Sequence, residues 1–244
     1  MKVTLLGTSG GIPLSGRAQS GVLVESSESK ILLDCGMGVP LRLVESGVDA
    51  EEIDTICITH GHLDHIQDLA SLTKASWLDI GKADYQVVVP PGLERKLVDM
   101  WRCLEEYDRT DLKFTVLEPG EVIDGELDIR PFKTDHTESS QGYNISDGDR
   151  EIAYTGDTAP RKEVIDKVAK TDLLIHELSL IEESEAHTDP EGLMANIEGT
   201  DIKKLVLTHF YPPVAERIEE LASKIEEKIG IDTEPGEDLQ EYRI

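Results

Sequence analysis

Residues 59–65 read THGHLDH and hold three of the chain's seven histidines together with an aspartate. Imidazole nitrogens and carboxylate oxygens are ligands that zinc, manganese and iron accept in hydrolytic sites that keep a position open for water. His60 and His62 stand two positions apart, so both rings can face one point in an extended segment. Asp64 and His65 follow where a helix is predicted to begin. The segment therefore predicts two adjacent sets of metal ligands.

Further ligands must come from elsewhere in the chain, because a dinuclear centre needs more than this segment supplies. His136 in KTDHTESS, Asp157 in YTGDT and His209 in LTHFY are of suitable type. An aspartate placed between two metal ions can bridge them. A lone histidine or aspartate at a strand end more often caps or hydrogen-bonds, so these three residues are candidates because the cluster exists.

The elements that must position these residues follow from the apolar patterning. Strands are predicted near residues 2–6, 20–25, 30–34, 54–59, 85–89, 113–117, 127–132, 140–146, 151–155, 172–176 and 204–208. Helices are predicted near residues 38–46, 64–78, 92–107, 161–170, 189–198 and 213–228. Hairpins come first and strands then alternate with helices. This order favours sheets packed on each other with helices outside over one doubly wound parallel sheet.

Polar residues of interest recur where predicted strands end. His60, Asp157 and His209 each follow a strand, and His176 and Glu177 close another. Ligands in α/β architectures collect beyond the carboxyl ends of strands, so these positions predict a site along one edge of the sheets. We expect His176 to be structural, because it closes a buried strand and no further ligand is needed.

A loop of small residues, GTSGG at 7–11, follows the first predicted strand. It either lets backbone amides approach a ligand or forms a tight turn under the site. Arg17 nearby either pairs with a substrate phosphate or is a plain surface charge.

The chain as a whole is predicted to form one globular unit. Its 244 residues contain no linker tract, repeat or low-complexity segment, which predicts a single domain over 1–244. No apolar run approaches the roughly 18 residues of a membrane span, and the amino terminus lacks the apolar core of a signal peptide. We therefore expect a soluble cytoplasmic protein with no membrane partner.

Composition limits the partners. Fifty acidic residues against 24 basic ones give a formal charge of −26, which repels polyanions at long range. General nucleic-acid binding is not expected, although a metal-lined cleft can still take phosphodiesters. Cys35, Cys57 and Cys103 are scattered in apolar contexts, so we expect them to be buried or structural rather than a disulfide framework.

The histidine cluster resembles the signature His-x-His-x-Asp-His of the metallo-β-lactamase fold superfamily. The ribonuclease Z-like branch is the best match, through LLGTSGGIPLSGRAQSGVLVE, ILLDCG, ITHGHLDH, DHTESSQGYNI, YTGDT, LLIHELS, EAHTDP and LVLTHF in this order. The resemblance implies an α+β fold: a four-layer αββα sandwich of two mixed sheets packed face to face with helices outside. It places the metals at one edge of the two sheets.

The resemblance also implies a role for each site residue. The first metal would be held by His60, His62 and His136, and the second by Asp64, His65 and His209, with Asp157 as the bridge. Two divalent ions are implied, zinc in the first place and manganese as the alternative. Glu177 would orient His187, which would donate a proton to the leaving oxygen or contact the phosphate. The predicted catalytic residues are therefore Asp64, Glu177 and His187.

One feature of the ribonuclease Z-like branch is missing. Precursor-tRNA processing enzymes generally carry a Gly- and Pro-containing arm between the third histidine motif and the bridging aspartate, but only 20 residues separate His136 from Asp157 here. A small phosphodiester, such as a cyclic nucleotide, or a short RNA is the expected substrate. It would be hydrolysed by attack of a metal-held hydroxide.

Other functions stay open at this point. An ester, lactone or thioester hydrolase of the same fold, a precursor-tRNA 3′-processing endonuclease, and a metal-binding structural or regulatory protein without turnover are the alternatives. The structural alternative is weakened because structural zinc sites usually need only four ligands. A homodimer is expected by analogy with the family alone.

Overall fold

The computed structural model describes residues 1–104 and 112–244. The first of its two sheets has the strand order β13-β1-β2-β3-β4-β5-β6. Its strands are β1 Lys2–Gly7, β2 Gly21–Glu25, β3 Lys30–Leu33, β4 Thr55–Cys57, β5 Gln86–Val89, β6 Lys113–Val116 and β13 Glu241–Arg243. The strands β13, β1, β2 and β3 pair antiparallel, and β3 to β6 pair parallel. The sheet is therefore mixed.

The second sheet has the order β12-β11-β10-β9-β8-β7. Its strands are β7 Asp128–Lys133, β8 Gln141–Ser146, β9 Glu151–Tyr154, β10 Leu173–Glu177, β11 Lys204–Thr208 and β12 Asp232–Pro235. The strands β7, β8 and β9 form an antiparallel meander, whereas β9 to β12 run parallel through helical crossovers. The carboxyl ends of the parallel strands consequently lie at one edge of the sheet.

Helices cover the outer faces. They are α1 Val39–Glu45, α2 Leu63–Ile66, α3 Leu69–Ile80, α4 Leu93–Trp101, α5 Lys162–Val168, α6 Pro190–Ile197, α7 Pro212–Ala215 and α8 Ile218–Ile229. A short 3-10 helix occupies Ala50–Glu52. No helix among the described residues is long and apolar enough to cross a bilayer.

Side-chain alternation creates three apolar layers. In β1, Leu5 faces the opposite sheet and Leu6 faces the helices; in β3, Leu33 and Leu32 divide in the same way. The layer between the sheets contains residues from both of them, among them Val24, Val88, Ile145, Tyr154 and Ile175. The outer layers pack against α1, α3 and α4 on one side and against α5, α6 and α8 on the other. The predicted four-layer αββα sandwich is confirmed.

Two predicted helices are broken in the structure. The helix expected at 64–78 divides into α2 and α3 at Asp68, because Asp68 bonds to the segment after β3 instead of continuing the helix. Its backbone N–H donates to Cys35 O at 3.1 Å, and its carboxylate accepts from Gly38 N at 2.6 Å. The helix expected at 213–228 divides at Arg217, whose φ is −127°. The helix expected at 92–107 ends at Trp101, and positions 105–107 lie outside the described residues.

Two strands carry no recognisable sequence signal. β12, with the sequence DTEP, and β13, with the sequence EYR, are short polar edge strands. Only Thr233 in β12 and Tyr242 in β13 are buried, so neither strand shows apolar alternation. Among the cysteines, Cys35 and Cys57 are buried as expected, but Cys103 is exposed and that expectation was wrong. It lies in the turn after α4, past Trp101, the last residue of that helix and one that is buried in the core.

Candidate metal centre

The candidate site residues meet where strands end. His60 follows β4, Asp157 follows β9 and His209 follows β11, while Glu177 is the last residue of β10. His209 has a φ of 61°, an uncommon left-handed conformation that turns its side chain out of the strand direction. The chain reversal after each strand therefore brings residues far apart in sequence to one edge of the sandwich.

The first group consists of His60, His62, His136 and Asp157. His62 Nδ1 lies 3.0 Å from the Nε2 atoms of both His60 and His136. Asp157 Oδ2 lies 3.6 Å from those same two Nε2 atoms. The ligand atoms of these residues all lie within 4.8 Å of one another. Four donor atoms thus face one point.

The second group consists of Asp64, His65, His209 and again Asp157. The Nε2 atoms of His65 and His209 are 3.3 Å apart, and each lies 3.2 Å from Asp157 Oδ1. Asp64 Oδ2 lies 3.2 Å from His209 Nε2. Asp157 faces the first group with one carboxylate oxygen and the second group with the other. This is the geometry that a bridging carboxylate requires.

Hydrogen bonds fix the orientation of these rings on their outer side. His65 Nδ1 donates to Asp34 Oδ2 at 2.7 Å, and His136 Nδ1 donates to the carbonyl of Ala186 at 2.7 Å. His209 Nδ1 lies 2.8 Å from Ser179 Oγ. Such partners set the tautomer of a metal-binding histidine. With Nδ1 protonated, each Nε2 presents its lone pair to the centre.

The donor set fits divalent metal ions. The lone pairs of several imidazoles converge, and two such acceptors cannot hydrogen-bond to each other. Asp157 Oδ1 is buried and accepts no hydrogen bond from the described residues. Burial and the neighbouring imidazoles hold the pKa of His60 well below its ordinary value, so the neutral, metal-binding form prevails. Burial lowers the pKa of His65, but the carboxylates of Asp157 and Asp34 outweigh burial and raise it. The position of the His65 ring therefore favours positive charge.

Asp34 is a site residue that the sequence analysis did not assign. It is fully buried, with a φ of 61°. Besides His65 it accepts hydrogen bonds from Thr59 N at 2.8 Å, Thr59 Oγ1 at 2.9 Å and the Tyr154 hydroxyl at 3.0 Å. A carboxylate held by so many donors is immobile. Its signal in the sequence is an aspartate ending a wholly apolar strand, in ILLDC.

The predicted pair of Glu177 and His187 is in contact. His187 Nδ1 lies 3.2 Å from Glu177 Oε1 and 3.3 Å from Oε2. Glu177 is fully buried and also accepts from the backbone N–H groups of Thr158, at 2.6 Å, and Thr188, at 3.2 Å. Burial of the His187 ring disfavours its charge, but the hydrogen bond and charge of Glu177 prevail and raise its pKa. His187 is thus held as a protonatable group beside the two ligand groups.

Glu177, His187 and His209 also form a cluster whose ligand atoms lie within 4.8 Å of one another. A third metal does not suit this cluster, because both oxygens of Glu177 are already occupied by hydrogen-bond donors. One of those donors is the hydroxyl of Ser179, which connects Glu177 to His209. His176 points elsewhere: its Nδ1 donates to the carbonyl of Glu177 at 2.7 Å, in agreement with a structural role.

Tyr211 closes one side of the centre. Its ring centroid lies 5.8 Å from those of both His187 and His209. A Cβ atom added at Gly11 would lie 3.5 Å from the Tyr211 hydroxyl and 3.4 Å from Asp64 Oδ2, so the backbone of this loop passes closely between them. Burial and the nearby carboxylates raise the pKa of Tyr211 to about 12, which keeps the phenol neutral. Sequence analysis missed Tyr211, which has no distinguishing signal.

Arg17 takes neither of the roles considered from the sequence. Its Nη1 donates to Thr8 Oγ1 at 2.5 Å and to the carbonyl of Gly236 at 2.7 Å. Its guanidinium carbon lies 5.1 Å from the centroid of the Phe210 ring. Arg17 therefore helps to fix the loop of small residues to the body of the protein.

The two-sheet sandwich and the metal-binding groups at its edge define a metal-dependent hydrolase of the metallo-β-lactamase fold, in the ribonuclease Z-like branch. The family described as Anti-Pycsar protein Apyc1 matches residues 1–226. The chain belongs to this family.

Relatives of known name agree with this class. A ribonuclease Z of Mycobacterium sp. (strain KMS) is 29% identical, over 88% of this chain and 86% of the relative. The metallo-β-lactamase fold protein YhfI from Bacillus subtilis superposes with a TM-score of 0.83 at 24% identity, covering 99% of this chain and 98% of the other. The short form of human tRNase Z superposes with a TM-score of 0.78 at 25% identity, covering 100% and 99% of the two chains.

Proposed function

We propose that this protein hydrolyses a small phosphodiester or a short RNA with two divalent metal ions, zinc in the first place or manganese. The observation that carries the proposal is the pair of Glu177 and His187 beside two complete ligand groups. A hydrolase that cleaves a P–O bond must protonate a poor leaving group, and a positioned imidazole can do this. We also propose that residues 1–244 form a single domain and that the predicted site residues act as its metal ligands and catalytic groups.

The ligand groups would hold one ion at His60, His62 and His136 and the other at Asp64, His65 and His209, with Asp157 shared. Divalent ions bound there would activate water and offset the negative charge that develops on the phosphoryl oxygens.

The residues around the ligands have separate tasks. Glu177 accepts from Nδ1–H of His187, fixes the ring and favours its doubly protonated form, so that Nε2–H would deliver its proton to the leaving oxygen. The neutral Tyr211 hydroxyl would donate a hydrogen bond to a non-bridging phosphoryl oxygen. The hydroxyl of Ser179 holds His209 and Glu177 in one arrangement.

Two features support a small substrate. The interval between His136 and Asp157 contains only β8, β9 and the turn between them, which leaves no room for a tRNA-gripping arm. The formal charge of −26 also opposes the approach of a long polyanion. Precursor-tRNA processing is therefore the less favoured function, although several relatives bear the name ribonuclease Z.

The test is hydrolysis of bis(p-nitrophenyl) phosphate by protein reconstituted with zinc or with manganese, beside a chelated control. p-Nitrophenyl acetate and a thioester are assayed in parallel. We expect metal-dependent turnover of the diester. Turnover of only the ester or thioester would show that the protein cleaves a carboxylic ester or thioester bond and not a phosphodiester bond. Light scattering of the same preparation checks the homodimer, which stays a prediction.

A further inference from the structure

His187, the proton donor of the proposed function, stands in a loop rather than in a helix or strand. This loop covers residues 178–189, between β10 and α6. In the described part of the chain, no backbone N–H group between residues 181 and 187 donates to a backbone carbonyl. A segment without such bonds keeps much of its conformational freedom unless side chains hold it. The position of His187 therefore depends on the side-chain contacts of this loop.

Ser184 makes two of these contacts. Its Oγ accepts from the backbone N–H groups of Ala186 at 3.1 Å and of His187 at 3.3 Å. A serine hydroxyl that accepts from N–H groups two and three residues further along the chain closes a local turn. This turn satisfies the N–H of His187 itself and fixes the direction in which the His187 side chain leaves the backbone.

Both neighbours of His187 in the chain are joined to the candidate site. The carbonyl of Ala186 accepts from Nδ1 of His136, a member of the first ligand group, at 2.7 Å. The backbone N–H of Thr188 donates at 3.2 Å to Glu177, the carboxylate that also holds the His187 ring. The turn at Ser184 is thus the support of the proton donor on its amino-terminal side.

We propose that Ser184 is the positioning residue of the proton donor: its hydroxyl fixes the turn that presents His187 to the leaving oxygen. None of the tasks described above uses Ser184. A donor displaced by about 1 Å loses much of its catalytic effect, because proton transfer requires hydrogen-bond geometry. The inference rests on the proposed function, since it assumes that His187 protonates the leaving group.

The first measurement is solvent exchange of the backbone N–H groups of Ala186 and His187, followed by NMR in the zinc-loaded protein. Ser184→Ala removes their acceptor, so both exchange rates should rise about tenfold, the value of one hydrogen bond. Ser184→Thr keeps a hydroxyl on the same carbon atom and should restore the wild-type rates. Ser26→Ala is the matched control and should leave both rates unchanged. It removes another half-buried hydroxyl that accepts from a backbone N–H, that of Ser29 at 3.0 Å, in the turn between β2 and β3.

The second measurement separates loss of the proton donor from general damage to the site. The kcat values for bis(p-nitrophenyl) phosphate and diphenyl phosphate are compared, because phenolate is a stronger base than p-nitrophenolate and depends more on a proton donor. Ser184→Ala should lower kcat on diphenyl phosphate about tenfold more than kcat on bis(p-nitrophenyl) phosphate. Ser184→Thr and Ser26→Ala should keep the wild-type ratio. Metal content by mass spectrometry should be the same in all of these proteins.

Each outcome bears on a different claim. Unchanged exchange of both N–H groups in Ser184→Ala would overturn the turn as the support of His187. The same change of kcat on both diesters, including none, would overturn the inference as well, because the proton donor would then be no more affected than the rest of the site. If the wild type hydrolyses neither diester, the proposed function fails, and the exchange rates alone decide whether Ser184 positions His187.

Discussion

At the scale of single residues, the proposed function gives His187 a chemical task rather than a structural one. It lies against Glu177 and within 3.9 Å of Asp157 Oδ2, yet neither ligand group needs it. His187→Ala should lower kcat on bis(p-nitrophenyl) phosphate by about 10²- to 10⁴-fold, because general acid catalysis is lost. Metal content by mass spectrometry should stay unchanged. Loss of metal together with His187 would mean that the residue is a ligand.

We expect Asp34 to act through His65, whose Nδ1 it holds by a hydrogen bond. Asp34→Asn removes the charge that holds Nδ1–H of His65, while asparagine still tolerates the positive φ. The affinity for the second metal should fall by about 10- to 100-fold in a chelator competition assay. The matched control is Asp54→Asn, which changes an exposed carboxylate that accepts from the backbone N–H of Lys30. Equal metal affinities of the two variants would contradict this role.

The hydroxyl of Tyr211 has its own test. Tyr211→Phe keeps the ring that packs beside His187 and His209 but removes the hydrogen-bond donor. We expect kcat/KM on the diester to fall about tenfold, the value of one hydrogen bond to a charged group, with metal content intact. Tyr85→Phe, which removes a buried hydroxyl bonded to Thr73 of α3, is the control. If both variants behave alike, Tyr211 does not contact the substrate.

At the scale of elements, the chain end fixes the loop that borders the metal centre. Asp238 is nearly buried and accepts from Thr8 Oγ1 at 2.7 Å, Ala18 N at 2.6 Å and Arg42 Nε at 3.0 Å. The backbone N–H of Gly10, in the same loop, donates to the carbonyl of Phe210 at 3.1 Å. The segment before β13 therefore connects the loop after β1 to α1 and to the edge of the second sheet.

Asp238→Ala should lower the free energy of unfolding by about 3 kcal/mol, because three donors lose a shared acceptor and Arg42 loses its buried partner. Urea denaturation of the metal-free protein measures this change. Asp124→Ala, in the exposed turn before β7, should alter stability by no more than about 0.5 kcal/mol. A similar small change for Asp238→Ala would show that the loop is held by other contacts.

At the scale of the whole molecule, the surface charge should govern the approach of anionic substrates. Raising NaCl from about 0.01 M to about 0.1 M shortens the Debye length from about 30 Å to about 10 Å. Because the formal charge is −26, screening should raise kcat/KM for bis(p-nitrophenyl) phosphate severalfold. This is the opposite of the usual salt effect on nucleic-acid binding.

Replacing NaCl by choline chloride at equal ionic strength is the control for specific ion effects. A fall of kcat/KM with salt would instead indicate that local positive groups near the site dominate the approach of the diester.

The sequence by itself determined the ligand types, their spacing in residues 59–65 and most of the strands. These are local properties, because two histidines two positions apart and an alternation of apolar residues can be recognised without reference to any distant part of the chain. The sequence also indicated that His136, Asp157 and His209 belong to the site, but only because the cluster and the family resemblance pointed to them.

Tertiary structure alone decided which groups support the ligands. Asp34 contacts His65, 31 residues further along the chain, Ser179 contacts His209, 30 residues further along, and Tyr211 lies beside the loop at Gly11. The polar strands β12 and β13 form because each pairs with the edge of a sheet, β12 with β11 and β13 with β1. Such features depend on which side chains meet in space, which residue type and spacing do not encode.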